Sequence, residues 1–186
     1  MSADMAHPST LYRFRIELSD VDAGIYESLD FRIAQHPSET EQFMLTRVIA
    51  FALNTAAQPE FSPGGLSDPD EPCIRALDGN GAIRLWIEVG SPSARKLHKA
   101  AKAAPEVKVY TYKNPEHFLS EVRDGDVHRA ERIAIYSLAP EFLDRLARRL
   151  VRDNRWGIIH TEGSLSVSIG DEAEAGELKR HFLAEA

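Results

Sequence analysis

Glu88 is the residue whose surroundings most demand an explanation. Its neighbours Leu85, Trp86, Ile87 and Val89 are all apolar. A carboxylate in such a run is costly to bury unless it is paired, hydrogen-bonded or bound to a metal. With the period of two expected of a strand, Glu88 shares a face with Trp86 and Gly90. Two further acids, Asp70 and Glu71, precede Pro72, and Glu88 lies 17 residues beyond Glu71. The intervening Asp78-Gly79-Asn80-Gly81 is a hairpin signal. A hairpin there returns the chain so that Asp70 or Glu71 can meet Glu88. Oxygen-rich clusters of this kind suit Mg²⁺ or Mn²⁺ rather than zinc. The plain structural reading is that Asp-Glu-Pro is a solvated turn, and that the acids are satisfied by Arg47, Arg75 or Arg84.

The opposite charge comes from residues 94–104. Arg95, Lys99 and Lys102 recur at helical spacing, with Lys96 and His98 flanking, while Leu97, Ala100, Ala101 and Ala104 form an apolar face. This is an amphipathic helix with a basic side, from which one lysine can turn toward the carboxylates or toward a phosphate. Glu39 stands at the start of an earlier helix, where the helix dipole favours an acid. Arg47, farther along that mostly apolar helix, needs a partner, and one of these acids can be it. No Cys–Cys or His–Cys zinc spacing, P-loop, G-x-G-x-x-G or G-x-S-x-G is present.

The elements that must position these residues are legible in the pattern. Residues 10–19 alternate, with Tyr12, Phe14, Ile16 and Leu18 on one face, and residues 25–34 repeat the pattern with Leu29, Phe31 and Ile33 inward. The two runs predict an antiparallel hairpin. Ser38 with Glu41 reads as a capping box opening a helix to about Leu53. Residues 58–72 are a long proline- and glycine-rich loop. Strands at 73–78 and 82–90, the basic helix, and a strand at 107–112 follow. Strand, helix, strand implies a parallel pair with a right-handed crossover. The remainder reads as a helix at 115–122, a strand at 132–138 and a helix from Pro140 to about Asp153. A hairpin, WGIIHT and SLSVSI, comes next, with an acidic tail from Asp171 that is expected to be a short helix.

The chain has 186 residues and one cysteine, Cys73, so no intrachain disulfide forms. Its length fits one domain over residues 1–186. No stretch approaches the ~18 apolar residues of a membrane span, and Met1 to Pro8 does not read as a secretory signal. A cytoplasmic location is expected. The net charge of −7 argues against a dedicated nucleic-acid coat, although acids gathered around metal ions would contribute to it.

Several motifs together resemble the bacterial YaeQ family over nearly the whole chain. They are His36 to Thr40 (HPSET), Gly65-Leu66-Ser67, Asp70-Glu71-Pro72, residues 85–90 (LWIEVG) followed by Pro92, Lys99, and Thr111-Tyr112. The resemblance implies a mixed α/β fold similar to the PD-(D/E)XK nucleases, carrying extra β-hairpins at both ends. In that superfamily one acid begins a core strand and E-x-K lies on the next. The resemblance therefore implies Asp70 or Glu71 as the first acid, Glu88 as the second and Glu39 as a helix acid, holding Mg²⁺ or Mn²⁺. Gly90 occupies the place of the motif lysine, so Lys99, with Lys96 second, is expected to replace it. The implied function is Mg²⁺-dependent phosphodiester hydrolysis on DNA or RNA by Glu88, Lys99, Glu71 and Asp70. The alternative is a degenerate nuclease-fold module that binds nucleic acid or a protein partner.

Overall fold

The alternating run at the N-terminal end folds back on itself. In the computed structural model, which describes residues 8–64, 66 and 68–183, β1 (Thr10–Asp20) pairs antiparallel with β2 (Ile25–Gln35) without a break in register. Phe14, Ile16, Leu18 and Ile33 are buried as the alternation requires. The α1 helix (Glu41–Leu53) follows. Its cap is Thr40, whose hydroxyl accepts from the Phe43 N–H at 3.1 Å, rather than Ser38. Ser38 instead bonds the His36 ring, because the chain turns at His36-Pro37 before the helix begins.

Within the long loop lies a two-residue strand, β3 (Glu60–Phe61). Beyond it, β4 (Ile74–Leu77) and β5 (Ile83–Val89) form the expected hairpin. Asp78 closes the turn by accepting from the N–H groups of Asn80 and Ala82. Next come α2 (Ala94–Ala103), β6 (Glu106–Thr111), α3 (Pro115–Asp124) and β7 (Ala134–Ser137). The strands β5, β6 and β7 are parallel neighbours, so α2 and α3 are crossover helices.

The last third departs from expectation in two places. The α4 helix covers only Pro140–Ala147, and β8 starts at Asp153 and runs to Thr161. It lies parallel to β1, with Asp153 opposite Arg13. The acidic tail is not helical. After β9 (Ser164–Ile169) it forms β10 (Glu172–Glu177) against β9, and β11 (Lys179–His181) against β7. Two sheets with open edges supply partners that local sequence does not reveal. Gly176 lets β10 lie on α4, since a Cβ there would stand 2.6 Å from the Phe142 ring.

Two mixed sheets result, ordered β10-β9-β8-β1-β2 and β11-β7-β6-β5-β4-β3. Between them α1 and α4 fill the main core with Met44, Leu45, Val48, Phe142 and Leu143. A second core, centred on Trp86, Leu97, Val109 and Phe118, forms where α2 and α3 cover the other face of the second sheet. This double covering makes β5 apolar nearly throughout and puts Glu88 on the α2 side, beside Trp86. No helix among the described residues is long and apolar enough to cross a membrane.

Candidate functional site

The site grows from the turn between β5 and α2. Gly90 has φ +85°, a left-handed conformation that ends the strand, and its N–H donates to the Tyr110 carbonyl at 2.9 Å. A Cβ at this position would come within 3.4 Å of the Phe43 ring. The turn therefore favours glycine at this position. Ser93 then caps α2, accepting from the Lys96 N–H at 3.2 Å.

The cap places Lys96 in the first turn of the helix, beside the end of β5. Its ammonium lies 3.1 Å from Glu88 Oε2. Glu88 Oε1 accepts from Trp86 Nε1 at 2.7 Å, and the Cys73 thiol lies 3.6 Å from Oε2. Glu88 is only 2% exposed. Burial raises its pKa, against the pull of Lys96 and of the Trp86 hydrogen bond. Burial, reinforced by the Glu88 charge, pushes the Cys73 thiol up to about 12, so it stays protonated.

The structure corrects the expectation that Lys99 turns to Glu88. Lys99, nearly one turn farther along α2, pairs with Asp70 Oδ1 at 2.7 Å in solvent, and Lys96 holds the position beside Glu88. The expected acids do not gather around Glu88 either. Glu71 Oε2 accepts from the Gly64 N–H at 3.0 Å and ties the loop together. Glu39 receives Nε and Nη2 of Arg47, each at 2.7 Å, and the His36 N–H at 3.0 Å. That pair is buried, as the structural reading of Arg47 allows. Arg75 pairs with Glu60, and Arg84 donates to the carbonyls of Leu77 and Ala57. Of the YaeQ-like residues, Gly65 and Ser67 lie outside the described residues.

The acid that does share a cavity with Glu88 is Asp68, which the motif reading passed over. Asp68, Glu88, Lys96, Lys113 and Phe43 line a cleft of about 260 Å³. It adjoins an outer cleft of about 640 Å³ lined by Asp70, Arg95, Lys96 and Lys99. The sequence signal for Asp68 is its place just before Pro69-Asp70, where its Oδ1 accepts from the Asp70 N–H at 2.8 Å. Lys113 had no such signal, because only the parallel placement of β6 beside β5 brings the end of that strand to the cleft.

A Mg²⁺ or Mn²⁺ centre needs carboxylate oxygens free to coordinate. Among the described residues, no three His, Cys, Asp or Glu side chains converge closely enough to hold a metal ion. Each of the four expected ligands is committed to a protein donor: Glu88 to Trp86 and Lys96, Glu71 to Gly64, Asp70 to Lys99, Glu39 to Arg47. In this arrangement the donor set does not fit the metal.

Comparison with known proteins adds a family but no activity. The family model described as "YaeQ protein" matches residues 5–177. The uncharacterized protein YaeQ of Escherichia coli (strain K12) is 33% identical over 108 residues, 58% of this chain and 59% of the relative. The corresponding Salmonella typhi protein is 32% identical over the same length. The matched stretch thus spans about 59% of these curated relatives. Two crystal structures of YaeQ proteins are similar over nearly their full length. The Pseudomonas syringae protein gives a TM-score of 0.85 at 31% identity, covering 94% of this chain and 97% of that one. The Xanthomonas axonopodis pv. citri protein gives 0.86 at 26% identity, covering 95% and 99%.

Proposed function

The chain belongs to the YaeQ family, and on that premise we propose that it is a nuclease-like module whose α2 cleft binds the phosphodiester backbone of nucleic acid without cutting it. The observation that carries this reading is the pairing of Glu88 with Lys96 and Trp86. A carboxylate already satisfied by two protein donors is a structural floor for the cleft rather than a free metal ligand. Around that floor four cations outnumber two further acids, Asp68 and Asp70, of which Asp70 is paired with Lys99. Arg95, Lys96, Lys99 and Lys113 line the two joined clefts, and Arg95, Lys99 and Lys113 are exposed. Such groups hold phosphates through charge, with an affinity that falls as salt rises. The hairpin of β4 and β5, with β6 parallel beside β5 and α2 crossing between them, supports a PD-(D/E)XK-like scaffold.

Fluorescence anisotropy of a labelled oligonucleotide in EDTA at low salt tests the proposal. Binding is expected without metal, weakened by Arg95→Ala and Lys99→Ala and abolished by high salt. Absence of binding at low salt refutes it. A second reading, Mg²⁺-dependent phosphodiester hydrolysis by a variant site, is supported by Asp68, Glu88 and Lys96 lining one cavity. It requires Glu88 to give up its present partners. Cleavage of the same oligonucleotide in Mg²⁺ or Mn²⁺, lost in Glu88→Gln, would establish that reading over the first.

A further inference from the structure

The long edge strand β2 is built to meet a copy of itself. The direction of its free backbone groups follows from two hydrogen bonds. The Arg13 N–H donates to the Arg152 carbonyl, so the odd residues of β1 turn toward β8 and the even ones toward β2. The partners of those even residues, Leu29, Phe31 and Ile33, spend their backbone groups on β1. Ser28, Asp30, Arg32 and Ala34 therefore point outward. The second bond agrees: the Ala34 carbonyl accepts from Arg47 at 2.9 Å, off the open edge.

Eleven residues of edge without proline or bulge are a template for another strand. Clefts of about 410 Å³ each lie along it, one beside Glu27 to Phe31, the other beside Arg32 to Ala34. We infer that two copies of this chain join through antiparallel pairing of their β2 edges, with Phe31 on the two-fold axis.

That register is self-complementary in every layer. Asp30 faces Arg32 of the partner subunit, and Arg32 faces Asp30 of the partner subunit. Each of these pairs can exchange both backbone hydrogen bonds. Arg32 is exposed and has no ion pair among the described residues, whereas Asp30 already holds Arg13. The neighbour directly across the strand from Arg32 is Arg13, a like charge that an opposing acid would offset. On the inner face half-buried Phe31 meets the partner's Phe31, while Ile33, buried in its own core, adds no side-chain contact opposite Leu29. Arg47 already occupies the Ala34 carbonyl, which bounds the ladder near Arg32. The interface is isologous, as two-fold dimers require.

Sedimentation velocity on the intact chain, with far-UV circular dichroism to verify folding, tests the inference. Wild type is expected to sediment at twice the 20.8 kDa chain mass. Arg32→Glu puts two acids opposite each other across the axis while giving Arg13 an acid within its own sheet, and should yield a folded monomer. Asp30→Pro removes an N–H that points away from β1, a loss an edge strand tolerates, and should do the same. A wild type that stays monomeric at its highest soluble concentration overturns the inference, as does a dimer that survives both substitutions.

Discussion

Replacing Lys96 with methionine isolates the energetics of the buried carboxylate. The substitution keeps most of the apolar stem and removes the ammonium that lies 3.1 Å from Glu88 Oε2. Breaking a fully buried pair by removing one partner costs about 3–5 kcal/mol. Here the Lys96 side chain is 22% exposed and Trp86 continues to donate to Oε1. The expected loss at neutral pH is therefore smaller, about 2 kcal/mol. For a chain of this size that lowers the melting temperature by about 4–8 °C.

The pH dependence gives this prediction its sign. The Glu88 pKa is already raised in the folded protein. A carboxyl with a raised folded pKa contributes stability below its unfolded pKa, and that contribution is lost as pH rises through the folded value. Lys96 limits this loss, and Lys96→Met removes the limit. The destabilisation should be slight below about pH 4, where the carboxyl is protonated in both states, and should grow toward neutrality. Urea denaturation of wild type and variant across that range measures it. A loss of equal size at acidic and neutral pH would mean that Lys96 acts by packing and would refute the electrostatic account.

Three further outcomes follow from the same geometry. Glu39→Gln leaves Arg47 with half a partner in a buried site and should cost about 3 kcal/mol in chemical denaturation; a change within error would show that the pair is dispensable. Gly90→Lys should destabilise by about 1–2 kcal/mol because φ is +85° there, and a more stable variant would contradict that account. Asp70→Ala removes only a solvent-exposed partner of Lys99, so the melting temperature should hold while oligonucleotide affinity rises; weaker binding would place Asp70 in the binding surface itself.

The first hairpin, the β4–β5 hairpin around Asp78-Gly79-Asn80-Gly81 and the parallel crossover through α2 were all legible in the sequence. Their signals are local: period-two alternation, a turn that only certain residues close, and an amphipathic helix between two apolar strands. So was the special standing of Glu88, because a carboxylate within an apolar run needs a partner whatever the fold. Which partner it takes was not legible. Lys96 and Lys99 lie on the same basic side of one helix, and their difference arises from the left-handed turn at Gly90 and the Ser93 cap, which fix where α2 starts relative to β5. Asp68 rather than Asp70 or Glu71 reaches the same cavity for a like reason: the path of a proline-rich loop is set by what it packs on. The tail from Asp171 shows the limit most clearly. Its acidic composition favours no strand locally, and it becomes β10 and β11 because two sheets present open edges and Gly176 lets the chain lie on the Phe142 ring. Local sequence sets which conformations are cheap, and long-range pairing decides which of them the chain adopts.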